Sequence, residues 1–273
     1  MSGLAGFVSG LEMKRLYLGI VIFVICAVGA AALAEDWREL KGEHFLIYYI
    51  QDRGFAKKVL SRAEKYYDKI ASDLGYSRYD NFWSWENRVK IYIYGSQEDF
   101  LSASGIELEW PMGMADYKKK EIRSFRWSEG FLDSLLPHEM THLIFRDFVG
   151  FTGEIPLWLD EGVAQWEEKG RKKEAKRIVR GLIGDGKYIP LSALMSMDIR
   201  KEPDAEVSYK FYAQSVSLVA FFCEKYGSSK FRLFCRQLRD GKTMDEALSH
   251  IYVNSINDTE ELEKKWLEYY GGG

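Results

Sequence analysis

The amino-acid sequence predicts an α+β protein, with a small mixed β-sheet and helices in its first part and a mainly helical second part. Apolar runs and an amphipathic segment follow one another in the order β-α-β between residues 44 and 95. After residue 128 the pattern becomes almost wholly helical. The 273 residues are 47% hydrophobic and 29% charged, enough apolar material for a sizeable core and without the signature of disorder.

The elements follow in order. HFLIYYI (44–50), β-branched and aromatic and bounded by Gly42 and by Asp52-Arg53-Gly54, reads as a strand. Residues 55–75 place Phe55, Val59, Ala63, Tyr66 or Tyr67, Ile70 and Leu74 at helical spacing and stop at Gly75. RVKIYIYG (88–95) alternates as a second strand. A third lies within 112–127, as a hairpin with its tip at Lys118-Lys119-Lys120; Gly113 there allows a close backbone approach or marks a bulge. Two amphipathic helices come next, 131–150 with Pro137 in a first turn and 155–170 opening at Pro156. Further helices are expected at 171–182, 209–226, 228–239, 243–250 and 258–269. No repeat or low-complexity linker interrupts residues 35–273, which read as one unit: a sheet-containing part (35–130), two central helices (131–170) and a helical part (171–273).

The first 34 residues differ from the rest. Lys14 and Arg15 precede the apolar run 16–34, which ends in Ala32-Leu33-Ala34, so the segment reads as a secretory signal cleaved before Glu35 or as an uncleaved membrane anchor. Met13 offers an alternative start. The expected location is exported, periplasmic or extracellular, with membrane association through this segment if it is retained. Cys223 and Cys235 remain beyond it, as two small buried hydrophobes or as a disulfide in an oxidising compartment. A formal charge of −3 gives no basic field, and RKKEAKR (171–177) is balanced by acidic neighbours, so nucleic acid is not an expected partner.

The chemistry concentrates in HEMTH (138–142). Residues four apart share a helix face, so His138 and His142 can present imidazole nitrogens to one ion while Glu139 points beside it. A catalytic zinc has three protein ligands and keeps a fourth position open, so a further His, Asp or Glu is required. LWLDEGVAQW (157–166) offers Glu161; the neighbouring Asp160 points about a third of a turn away and Glu154 precedes Pro156. Asp160 and Thr141 are candidate partners that orient the ligands, against the reading of both as ordinary polar residues. His44, at the start of a strand, and His250, at the end of a helix, are assigned capping or surface roles.

HEMTH followed by LWLDEGVAQW resembles the two motifs of gluzincin peptidases, with eighteen residues between His142 and Glu161, the spacing of their aminopeptidase branch. From about residue 40 onward the chain resembles the peptidase MA-like group of exported gluzincins, including 208–227 and the closing LRDGKTMDEAL and LEKKWLEYY pieces. The resemblance implies a zincin-like fold and one Zn²⁺ held by His138, His142 and Glu161. It also implies hydrolysis of a peptide or protein substrate, with Glu139 as general base toward a water activated by the metal. Gluzincin aminopeptidases carry a Tyr-x-x-Gly tyrosine that donates to the oxyanion; Tyr212 in YAQS matches it with Ser215 in the glycine's place, and Tyr209 is the alternative. Their Gly-x-Met-Glu-Asn motif finds only GMADY (113–117), without its glutamate and asparagine, so exopeptidase specificity does not carry over. The strand before the metal helix in such enzymes pairs with extended substrate, a role open here to 112–117 or 121–127. Rival readings are a non-catalytic exported module that keeps the fold for its shape, and a zinc amidase acting on small molecules or cell-wall material.

Overall fold

The computed structural model describes residues 37–75, 83–104, 112–127 and 130–272; the signal or anchor expected at 1–34 lies outside the described residues. Among them no helix is long and apolar enough to cross a membrane. Five strands, β1 (Arg38–Lys41), β2 (Phe45–Tyr49), β3 (Val89–Tyr94), β4 (Gly113–Asp116) and β5 (Glu121–Phe125), form one sheet in the order β1-β2-β3-β5-β4. The central pairs β2–β3 and β3–β5 are parallel, and the outer pairs β1–β2 and β4–β5 are antiparallel.

This mixture follows from the connections. A short turn joins antiparallel neighbours, whereas parallel β2 and β3 need a crossover, supplied by α1 (Arg53–Asp73). Alternation along β2 and β3 sends Phe45, Ile47, Tyr49, Val89, Ile91 and Ile93 to the face that α1 covers with Ala56, Val59, Ala63, Tyr67 and Ile70. Burying Val59 or Ile70 is worth about 1.5–3 kcal/mol each. On the other face Tyr48 stacks on Tyr92 at 4.9 Å, and α2 (Gln97–Ser104) inserts Phe100 against Phe125. The expected hairpin is present, with Gly113 opposite Ser124 in regular register. Gly113 is therefore no bulge but a close approach: a Cβ there would lie 2.8 Å from Leu135.

The helical part contains α3 (Leu136–Val149), α4 (Leu157–Glu167), α5 (Arg171–Gly184), α6 (Leu191–Ser196), α7 (Ala205–Tyr226), α8 (Ser228–Arg239), α9 (Met244–Ile251) and α10 (Thr259–Gly271). Pro137 lies in the first turn of α3, as its missing N–H favours. The helix expected from 131 is divided, because Phe131–Leu135 form a π-helical turn before α3 begins. From Trp158 to Glu167 every residue of α4 is buried, and α7 is buried without a break from Phe211 to Phe222, so both helices occupy the centre. They touch through Gly162, where a Cβ would stand 2.7 Å from the Ser215 carbonyl oxygen. Cys223 and Cys235 are free thiols, the latter fully buried, and burial pushes the Cys223 thiol up to about 12.

Candidate metal centre

Helix periodicity puts His138, Glu139 and His142 on α3, and the buried run of α4 brings Glu161 against them. One ligand atom from each of His138, His142 and Glu161 lies within 4.8 Å of the others, the one such group among the described residues. The two Nε2 atoms are 3.2 Å apart, and His138 Nε2 is 3.8 Å from Glu161 Oε2. A tetrahedral zinc with bonds of about 2.0–2.1 Å keeps its ligand atoms about 3.3–3.4 Å apart, so these residues fit such an ion.

The outer ring nitrogens set the direction of the imidazoles. His142 Nδ1 lies 3.0 Å from Asp160 Oδ1, and His138 Nδ1 lies 2.9 Å from Glu168 Oε1. An ionised carboxylate only accepts, so each Nδ1 is the donor and each Nε2 faces inward, where it offers a lone pair whenever its ring is neutral. Two lone pairs 3.2 Å apart repel unless a proton or a metal ion stands between them.

The pKa directions follow the same logic. Burial opposes charge on both histidines, but the Glu168 hydrogen bond raises His138, and the charge and hydrogen bond of Asp160 raise His142 to about 9. Burial pushes Glu161 up to about 7 against the pull of the two histidines, and it raises Glu139 as well. Glu168 is held below the usual carboxylate range, because the His138 hydrogen bond and charge outweigh its burial. Both Glu139 oxygens and Glu161 Oε2 are buried and accept no hydrogen bond from the described residues. Buried carboxylate oxygens are costly in that condition, and a metal ion with its water would satisfy them.

Of the two candidate orienting residues, Asp160 contacts a ligand and Thr141 does not. Thr141 is fully buried and donates to Pro137 O (2.6 Å), a bond within its own helix. The partner of His138 is Glu168, which no motif or helical spacing marks in the sequence: it is the first residue beyond α4 and its backbone is extended. Tyr212, one turn before the Ser215 crossing, is close enough to Glu161 for that carboxylate, after burial, to raise its phenol well above the ordinary value. Tyr209 is half-buried and packs against the core. His44 lies apart from the centre, with Nδ1 2.7 Å from Glu64 Oε2 and its ring stacked on Tyr67; His250 lines a shallow groove with Gln237, Lys242, Glu246 and Ser249.

An α+β fold whose consecutive helices converge two inward-facing imidazoles and a carboxylate defines a protein with a candidate metal centre. Residues 80–271, more than half of the chain, match the family model of the peptidase MA superfamily, and the chain belongs to that superfamily. No curated protein matches it.

Proposed function

We propose that this protein is a zinc-dependent peptidase whose metal is held by His138, His142 and Glu161. The observation that carries the reading is the pair of inward-facing Nε2 atoms, 3.2 Å apart, beside a buried Glu139 whose oxygens accept no hydrogen bond from the described residues. When bound, the ion supplies Lewis acidity, polarising a scissile carbonyl and lowering the pKa of water. Glu139 then acts as general base, taking the proton from the attacking water and passing it to the leaving amine; its raised pKa suits a group that must both accept and return a proton. Tyr212 donates its hydroxyl to the developing oxyanion.

β4 is the terminal strand of the sheet and packs against α3, whereas β5 is enclosed between β3 and β4. Of the two segments suggested by sequence, β4, the terminal strand among the described residues, is therefore the one whose outer edge can accept an extended peptide. The location on the exported side of a membrane rests on the apolar run at 16–34 alone.

Digestion of a peptide library by the purified protein, with and without chelator, tests this reading. Cleavage that stops on chelation and returns with zinc is expected, and Tyr212→Phe lowers kcat by roughly 10²–10³ with little change in KM. An intact library after zinc loading would exclude peptidase activity and leave the amidase or binding-module readings.

A further inference from the structure

The two imidazoles of the centre are oriented by carboxylates of different origin. Asp160 lies within α4, one residue before Glu161, so the helix itself fixes its distance from His142. Glu168 is the first residue beyond α4: its N–H still bonds to Gln165 O (3.2 Å), but its extended backbone (φ −66, ψ 143) turns the chain out of the helix, so helical geometry does not set the direction of its side chain. An external tether is needed, and the structure supplies one. Ser134 Oγ donates to Glu168 Oε2 at 2.6 Å, leaving Oε1 for His138 Nδ1 at 2.9 Å.

Ser134 reaches Glu168 from the Phe131–Leu135 π-turn, where the Leu136 N–H bonds to Phe131 O five residues back. Such wide turns are uncommon and recur at functional sites. This one is held on two sides. Tyr66 of α1 donates its hydroxyl to Leu132 O (2.8 Å), and the backbone N–H of Lys169, the residue after Glu168, donates to Asp133 O (3.0 Å). The start of the metal helix and the end of the third-ligand helix are thus joined through adjacent pairs, 133 with 169 and 134 with 168.

We propose that Ser134 is a positioning residue of the metal centre: presented by the π-turn, its hydroxyl fixes Glu168 so that the free carboxylate oxygen holds His138 Nδ1 and turns His138 Nε2 toward the metal. The proposal rests on the metal reading above and adds to it a group that touches neither metal nor substrate. Its action passes entirely through Glu168.

The test uses the full chain, Zn²⁺ itself as probe, and competition with a chelator of known affinity. Glu168→Ala should weaken zinc binding by about 10–100-fold, the usual range for loss of such a partner. Ser134→Ala should weaken it by about fivefold, the worth of one typical hydrogen bond. The double variant should bind no more weakly than Glu168→Ala alone, since the serine acts only through the glutamate. Lys169→Ala, which removes the exposed 2.9 Å pair with Asp133 but keeps the backbone bond, should bind like the wild type. Melting temperatures of the zinc-free forms separate a folding defect from a positioning one. Wild-type affinity in Ser134→Ala, or additive losses in the double variant, would overturn the proposal while the metal reading stood. A wild type that takes up no zinc would overturn the metal reading and this inference with it.

Discussion

At the scale of single residues, the centre is a set of groups that a proton or a metal ion must neutralise. His142 is raised to about 9 and Glu161 to about 7, so both hold protons more tightly in the folded than in the unfolded chain. Groups with raised pKa values stabilise the fold at low pH. The contribution of Glu161 is complete below about 4.5 and lost as pH rises through 7; that of His142 is complete below about 6.5 and lost as pH rises through 9. The melting temperature of the chelated protein should therefore fall between pH 6 and 8.5, and added zinc, which replaces those protons, should raise it more at pH 8.5 than at pH 6. A zinc increment that is larger at pH 6 would contradict this. His138, Glu139, His142 and Glu161 were legible because helical spacing and two motifs fix them along the chain. Ser134 and Glu168 were not, because their meeting depends on a π-turn and on the residue that follows a helix end, neither of which leaves a periodic trace. Thr141 shows the converse: it lies inside the motif, yet a hydroxyl on a buried helix bonds most readily to the carbonyl four residues back.

At the scale of elements, long apolar segments were the readable ones. The expected strands at 44–50 and 88–95, the helix at 55–75 and the 112–127 hairpin each bury one face, and burial is what leaves a pattern. β1 escaped because three of its four residues, RELK, are charged and Leu40 is its one apolar side chain, too little for an alternating pattern. α2 and α6 escaped because eight and six residues, with one and two buried side chains, are too short to show helical periodicity. The Gly of the second motif gains a physical reason from the α4–α7 crossing. Gly162→Ala would place a methyl 2.7 Å from the Ser215 carbonyl oxygen and 2.9 Å from its carbon, backbone atoms that cannot swing aside. The helices must part, so denaturant unfolding should show a loss of about 1–3 kcal/mol, as for overpacking elsewhere. Because Glu161 and Tyr212 flank this crossing, zinc affinity should fall as well. A Gly162→Ala protein as stable as the wild type would mean that the two helices are not in the contact described here.

At the scale of the whole molecule, the sheet and the helices meet where the chemistry is proposed. α3, which carries two of the three candidate ligands, packs on both β4 and α4, so the candidate centre lies on the helix that joins the sheet to the helical part. The mixed sheet order follows from crossovers that sequence periodicity does not encode, which is why the strands could be read while their arrangement could not. The central claim is a division of labour between two buried carboxylates a few ångströms from the same ion: Glu161 binds it and Glu139 works on the water. Metal analysis of Glu161→Ala and Glu139→Gln, each loaded with zinc and dialysed beside the wild type, tests that division most directly. The wild type and Glu139→Gln should each retain about one zinc per chain, the latter with hydrolysis lowered by orders of magnitude, while Glu161→Ala loses most of its metal. Full zinc occupancy in Glu161→Ala, or unchanged turnover in Glu139→Gln, would contradict it.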